Sequence, residues 1–234
     1  MTETPQETAG RLAVQARLDS SSRKHPEAIE QQREAVRILA QEFASLPQDS
    51  PALTDERKEY AHRLSDNWGK LGGIYRRAAM VAKEIDRADM IAKAIDAYER
   101  GKEIEQENGL DDSYNLTNWI VLQVLDDPAR LPGLRKEIEG AIDLIQVQVQ
   151  GPRRKQWWAW ADLGLLYHLD GRVKEARLAY RRFEQAGARP ADYRSVLDVV
   201  RPVKERIAPS EPHIAAGMAE TIQALESAAS RPAG

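Results

Sequence analysis

Apolar residues recur along most of this chain at intervals of three and four, the spacing that places them on one side of an α-helix. Residues 145–150 alternate like a strand, but they continue a longer helical stripe formed by Leu134, Ile138, Ile142, Ile145 and Val149. Breakers rich in Gly, Pro, Ser and Asp divide the pattern into segments of about 15 to 25 residues. We therefore predict an all-α fold with about ten helices in antiparallel pairs.

Several breakers give approximate helix bounds. Pro26 suits the first turn of the second helix, and Pro132 the start of a helix that ends near Gln150. Pro202 is expected to kink or end the helix that begins at Pro190, and Ser210 is expected to cap the last helix.

One sequence pattern occurs twice, which predicts a structural repeat. The spacing W-x2-L-G-x2-Y is met by Trp68, Leu71, Gly72 and Tyr75, and again by Trp160, Leu163, Gly164 and Tyr167. Each match is followed by a small residue and then a tyrosine four positions later: Ala94 and Tyr98 in the first case, Ala176 and Tyr180 in the second. The glycine is expected to let the second helix of each pair cross closely, with the tyrosine filling the space beside it.

These residues resemble the tetratricopeptide repeat family. The resemblance implies a right-handed α-solenoid in which neighbouring helix pairs bury each other's apolar faces. It gives clear repeats at about 62–107 and 157–189, with degenerate repeats between and around them and a capping helix at 211–229. We expect one repeat domain over residues 7–229, with disordered ends at 1–6 and 230–234. Tyr75 to Ala94 spans 19 positions and Tyr167 to Ala176 spans 9, so the first pair carries a ten-residue extension.

A narrower resemblance follows from the order of segments. A helix ending in Gly-Ile-Tyr-Arg at 73–76 is followed by the long connector and by Ala94 to Gly101, then by 114–122 and by Trp-Trp-Ala-Trp-Ala-Asp at 157–162. This order looks like the TRAFs-binding domain of apoptosis signal-regulating MAP kinase kinase kinases and its bacterial relatives. That resemblance implies a regulatory protein-interaction module.

Carrying over the repeat positions predicts which residues face the concave groove, where such repeats hold ligands. The predicted groove residues are Asp66, Gly69, Gly73, Arg76, Arg77, Asn118, Trp158, Ala161, Leu165, His168 and Leu169. Gly69 and Gly73 stand where a carboxylate clamp has its Lys and Asn, so binding of a chaperone-type acidic tail is not expected.

Two of these residues have competing interpretations. Asn118 is suited to hydrogen-bond an extended peptide backbone through both amide groups, or else it bridges neighbouring helices. Trp158 cannot share a helix face with Trp157 and Trp160, so it is either an exposed interface anchor or is packed under the preceding repeat. Arg76 and Arg77 would contact an acidic partner from the groove.

Composition restricts the chemistry further. The 234 residues hold 34 Lys and Arg, 37 Asp and Glu, and no Cys, which excludes disulfides and thiolate sites and argues against a dedicated nucleic-acid binder. The four histidines are scattered without metal-ligand spacing, and no phosphate loop or nucleophile motif is present, so we expect no metal, cofactor or catalytic residue. The absence of a signal peptide or long apolar run predicts a cytoplasmic protein, and the Ala- and Arg-rich composition predicts a bacterial one.

We therefore expect a non-enzymatic adaptor or regulatory subunit in bacterial signalling or defence. Its partner would be a peptide or helix of another protein, such as an operon-linked effector or enzyme, held by the groove or by the flank near Trp158. The alternative is a sensor whose groove binds a small molecule or an oligonucleotide. Oligomeric state stays open, because the terminal helices are suited either to cap the solenoid or to pair with a second copy.

Overall fold

The computed structural model of the chain describes residues 3–47 and 54–230. Those residues form ten α-helices and one 3₁₀ segment, with no strand among them, which confirms the all-α, tetratricopeptide-like fold class. The helices are α1 (Pro5–Ser21), α2 (His25–Ser45), α3 (Thr54–Val81), α4 (Glu84–Glu107), α5 (Tyr114–Asp126), α6 (Arg135–Gln150), α7 (Trp157–Leu169), α8 (Val173–Gln185), α9 (Pro190–Ile207) and α10 (Pro212–Ala229). The 3₁₀ segment, Pro128–Leu134, precedes α6.

The chain divides into two compact units: unit 1 covers residues 1–119 and unit 2 covers residues 120–234. Consecutive helices pair within them, α1 with α2 and α3 with α4 in unit 1, and α7 with α8 and α9 with α10 in unit 2. The single domain expected over residues 7–229 stays a prediction.

Both repeat signatures build the same contact. A methyl group on Gly72 would lie 2.8 Å from Cδ2 of Tyr98, and one on Gly164 would lie 2.7 Å from Cε2 of Tyr180. Ala94 and Ala176 are fully buried at the same crossings. Glycine on one helix and alanine on the other therefore let the two backbones approach until the tyrosine ring fills the remaining space.

The ten-residue extension of the first pair is helical on both sides. α3 continues from Tyr75 to Val81, whereas α7 ends two residues after Tyr167. α4 begins at Glu84, ten residues before Ala94, whereas α8 begins three residues before Ala176. The extension lengthens the hairpin of unit 1 without inserting a loop.

Three expected helix termini are corrected. α9 does not end at Pro202 but runs through it to Ile207, because Pro202 and Asp198, whose carbonyl loses its donor, both lie on the exposed side. The expected kink at Pro202 stays a prediction. Ser210 does not cap α10: its hydroxyl donates to the Ile207 carbonyl over 3.2 Å, and Glu211 is the N-cap. Pro132 lies inside the 3₁₀ segment, so α6 begins at Arg135.

The disorder expected for residues 1–6 and 230–234 stays a prediction. Thr4 caps α1 by accepting a hydrogen bond from the Glu7 amide over 3.3 Å, and Pro5 begins the helix. Ser230 is the C-cap of α10. The rest of these two expected segments, residues 1–2 and 231–234, lies outside the described residues.

Candidate binding surfaces

The repeat-signature residues are mainly core residues. Tyr98 and Ala176 are fully buried, Leu71 and Leu163 are each 3% exposed, and Tyr75 and Tyr167 are nearly as buried. Trp68 and Trp160 are half-buried, and the indole of Trp160 donates to the Arg154 carbonyl over 2.9 Å. Their roles are structural, so a binding surface has to come from other side chains.

Asn118 of α5 bridges two helices of unit 1. Its Oδ1 accepts a hydrogen bond from the Arg76 guanidinium of α3 over 3.2 Å, and its Nδ2 donates to the Tyr114 carbonyl over 2.9 Å. Both amide groups therefore have a protein partner, although each keeps capacity for one more hydrogen bond. The structure brings the predicted groove residues Asn118 and Arg76 together, and their part in binding stays a prediction.

Arg77 turns towards α1 instead. Its Nε donates to the buried hydroxyl of Ser20 over 2.9 Å, while the side chain as a whole stays exposed. Burial of the guanidinium, then the neighbouring charges of Arg76 and Arg17, lower the pKa of Arg77, while the phenols of Tyr114 and Tyr98 raise it. Positive charge thus gathers at this point of a chain whose net charge is −3.

Gly69, a predicted groove residue, is covered by Asn115 of α5. Methyl groups on Gly69 and on Gly101 of α4 would each lie 2.5 Å from atoms of the Asn115 amide, so two glycines admit this one side chain. Asn115 Nδ2 donates to the Ser65 carbonyl over 3.1 Å and to the buried carboxylate of Glu105 over 2.6 Å. The expectation that Gly69 lines an open groove is corrected. Asp66 on the exposed side of α3 pairs with Lys70.

Most of the predicted groove residues of unit 2 are buried. His168 is fully buried and its Nε2 lies 2.9 Å from the Thr221 hydroxyl of α10, while Leu165 is 4% exposed. Ala161 and Leu169 are also buried. The expectation that these α7 residues face an open groove is corrected, because all four are buried and His168 contacts α10.

Trp158 is half-buried beneath a basic side chain. The Arg153 guanidinium lies 4.9 Å from the centroid of the Trp158 ring, a cation–π contact, and also donates to Gln148 over 2.9 Å. Trp157 packs edge-to-face on Phe183 with ring centroids 5.8 Å apart. The adjacent indoles therefore point in different directions, as the sequence predicts, and Trp158 is partly covered from within unit 2.

The tip of the α3–α4 hairpin, residues 80–87, is the surface that the sequence signatures do not mark. Met80, Val81 and Ile85 are 61%, 62% and 86% exposed, the last being the most exposed large apolar side chain among the described residues. The exposed charged residues Lys83, Glu84, Asp86 and Arg87 alternate with them along the chain. Clustered exposed apolar side chains with a polar rim are typical of interaction sites. In the sequence, only the ten-residue extension between Tyr75 and Ala94 indicates this surface.

Unit 2 contains an open cavity of about 420 Å³ between α8, α9 and α10. Its lining includes Tyr180, Tyr193, Thr221 and Leu225, and the small residues Ala224, Ser227 and Ala228 of α10. Arg177 of α8 bonds Glu220 of α10 at its edge. The sequence does not predict this cavity, because its lining comes from three helices and carries no motif.

Two further features bear on the chemistry. Within residues 3–47 and 54–230, no three His, Asp or Glu side chains come together as a metal ion needs. None of the described helices has a stretch long and apolar enough to cross a membrane.

Comparison with known proteins supports a tetratricopeptide-type family. Residues 8–123 match the family described as Tetratricopeptide Repeats-Sensor, just under half of the chain. No curated protein matches the chain. The crystal structure of BtubC (BKLC) from P. vanneervenii aligns with 97% of this chain and 92% of its own at 16% identity, with a TM-score of 0.36, a likeness too low to carry an argument. Tetratricopeptide-type repeats are generally non-catalytic and generally mediate protein interactions.

Proposed function

We propose, starting from a tetratricopeptide-type helical repeat, that this chain is a non-enzymatic adaptor or regulatory subunit that binds a segment of a partner protein. The observation that carries the proposal is the surface at the end of the α3–α4 hairpin. There Met80, Val81 and Ile85 are exposed directly after the arginine pair Arg76–Arg77.

This order of side chains defines the chemistry of the partner. A segment with apolar residues would cover the hairpin tip, and an acidic residue beside them would face the arginines. Apolar burial would supply most of the affinity, since each large side chain moved out of water contributes about 1.5–3 kcal/mol. The regulatory role implied by the resemblance to the TRAFs-binding domain belongs to the same proposal, as do a bacterial origin and a cytoplasmic location.

Affinity capture from the native host with matched variants tests the proposal. We expect one specific partner to be retained by the wild type and at least tenfold reduced by Met80→Ser with Ile85→Ser. Val147→Ser is the matched control, because Val147 is 71% exposed and belongs to α6 of unit 2, not to the hairpin. A peptide from the captured partner should then bind the purified wild type and the Val147→Ser control equally well. It should bind the double variant at least tenfold more weakly.

The results that would overturn the proposal are equally defined. Capture of no specific protein, or equal capture by the wild type, the double variant and the control, would remove it. If Trp158→Ala or Asn118→Ala loses the partner while the hairpin variant retains it, the contact lies at the flank or in the groove. That result would contradict the hairpin tip as the binding surface.

A sensor is the second candidate, favoured by the cavity of about 420 Å³ in unit 2. This volume lies within the range that holds small molecules in proteins. The family described as a sensor matches residues 8–123, which do not line this cavity, so the cavity alone favours this candidate. A thermal-shift screen of nucleotides and metabolites tests it. A ligand whose stabilisation disappears in Ala224→Phe, which fills the cavity, would support the sensor, and a uniformly flat response would remove it.

A further inference from the structure

Helices α8 and α10 of unit 2 are in close contact at their first turns and leave a gap further along. A methyl group on Gly217 of α10 would lie 2.6 Å from Cγ2 of Val173, the first residue of α8. One turn later Arg177 of α8 bonds Glu220 of α10. From this ion pair onwards, side chains of both helices line the cavity of about 420 Å³. The cavity therefore begins where the close contact between the two helices ends.

The wall that α10 contributes is low because its side chains are small. Ala224, Ser227 and Ala228 belong to the lining, and Ala224 and Ser227 are exposed. This side of the cavity is therefore open to solvent, and a ligand can enter without any movement of the backbone. A volume of about 420 Å³ is enough for a small molecule.

Two aromatic rings of the lining are fixed from behind by a third. Tyr180 of α8 and Tyr193 of α9 both pack edge-to-face on Phe183, with ring centroids 6.5 Å and 4.9 Å apart. Phe183 is fully buried. Because these rings are held in place within the chain, a flat apolar body can pack on this wall without the cost of ordering side chains.

The charged side chains of the lining define the polar end of a ligand. Arg177 is neutralised by Glu220. Arg181 lies one turn further along the same face of α8, is exposed, and forms no ion pair with a carboxylate within residues 3–47 and 54–230. A carboxylate suits this position, because charge-assisted hydrogen bonds to guanidinium are about twice as strong as neutral ones. Glu184 also belongs to the lining, three positions after Arg181, and would repel a second negative charge.

We infer that this cavity binds a small aromatic monocarboxylate, whose carboxylate pairs with Arg181 and whose ring packs on the wall formed by Tyr193 and Leu225. The inference deepens the sensor, the second proposed function, and rests on it, because it names the ligand class of the same cavity. It is independent of the adaptor function, which is carried by residues of unit 1.

Titration of the full-length ¹⁵N-labelled chain with two probes of the same shape tests the ligand class. 2-Naphthoate carries a carboxylate, and 2-naphthalenemethanol carries a neutral hydroxyl on the same ring system. Each is added at pH 7, where the carboxylate is ionised, and at constant ionic strength, while the backbone amides of Arg181 and Ala224 are observed by NMR. We expect saturable shifts with 2-naphthoate and at least tenfold weaker binding of the alcohol.

Three variants at exposed positions separate the charge from the cavity itself. Arg181→Gln should weaken 2-naphthoate binding at least tenfold and change the affinity for the alcohol less than twofold. Arg182→Gln is the matched control, because Arg182 is the next residue of α8, is exposed, and bonds Gln185 over 3.0 Å outside the lining. It should bind 2-naphthoate like the wild type. Ala224→Phe fills the cavity and should abolish the binding of both probes.

A flat titration with 2-naphthoate, equal affinity for the two probes, or equal effects of Arg181→Gln and Arg182→Gln would overturn the inference. These results are distinct from failure of the sensor function. If the thermal-shift screen gives a ligand that Ala224→Phe loses while both naphthyl probes give flat titrations, the sensor stands and the monocarboxylate class is wrong. If the screen and both titrations are flat, the sensor and the inference fail together.

Discussion

The ring of Tyr98 lies directly on Gly72 of the facing helix, so closely that a methyl group on Gly72 would come within 2.8 Å of Cδ2. Gly164 and Tyr180 repeat this relationship in unit 2. In both cases the glycine belongs to the first helix of a pair and the tyrosine to the second. The two helices are therefore held at a separation that any larger residue at the glycine would change.

Replacing Gly164 with alanine should destabilise the chain. The added methyl would lie 2.7 Å from Cε2 of a buried ring, and overpacking of this kind costs about 1–3 kcal/mol, only partly offset by the better helix propensity of alanine. We expect a net loss of about 1–2 kcal/mol in the free energy of unfolding, measured by urea denaturation.

The matched control for this prediction is Gly140→Ala. Gly140 lies in the interior of α6, is exposed, and has nothing within 4 Å of an added methyl. It should therefore gain about 0.5–1 kcal/mol from helix propensity alone. An equal gain at both positions would contradict the close crossing of α7 and α8.

The Gly–Tyr contact could be predicted from sequence because both partners recur at fixed spacing in two copies. Asn115 could not, since its environment joins Gly69, Gly101 and Glu105 from three segments and occurs once. His168 shows a second reason: the repeat position places it on a groove, but it is buried and contacts Thr221 of α10, and no local pattern predicts which helix packs there.

Asn115→Ala should destabilise unit 1 strongly. The substitution removes the donor of a 2.6 Å hydrogen bond to the buried Glu105 carboxylate and of a 3.1 Å bond to the Ser65 carbonyl, and it empties the space between two glycines. Losses of this kind amount to about 2–3 kcal/mol. Urea denaturation should show that loss, and about 1 kcal/mol or less for Asn118→Ala, which is half-buried on the same helix. Equal effects would mean that Asn115 does not lock α5 onto α3 and α4.

Two isoleucines at opposite extremes of exposure test whether the hairpin tip is free of internal packing. Ile74 is 1% exposed and packs with Ala16 and Ala28, whereas Ile85 is 86% exposed. Ile74→Ala should lower the free energy of unfolding by about 2–4 kcal/mol, and Ile85→Ala should change it by less than about 0.5 kcal/mol. Thermal and urea unfolding measure both. A large loss at Ile85 would show that the tip is already covered within the chain, which would contradict its proposed role in binding.

The free energy of unfolding should decrease as the pH is lowered, because of His168. Burial, with a smaller contribution from Arg177, lowers the pKa of His168 to about 4 from an ordinary value of 6.5. Because the unfolded chain takes up a proton near pH 6.5 while the folded chain keeps the ring neutral, acid favours unfolding between pH 6.5 and about 4. Above pH 6.5 both states are neutral and the effect vanishes. The loss from pH 7 to pH 5 should be about 2 kcal/mol for this residue.

His168→Gln isolates that contribution. Glutamine does not titrate and can still reach the Thr221 hydroxyl, which lies 2.9 Å from Nε2 of His168. Urea denaturation at pH 7 and pH 5 should therefore show a difference between the two pH values that is about 2 kcal/mol smaller in the variant than in the wild type. Burial also lowers the pKa of His25, so a weaker acid sensitivity of the same sign should persist in the variant. If the wild type and His168→Gln lose equal stability on acidification, the imidazole takes up a proton in the folded chain, which would contradict its burial against α10.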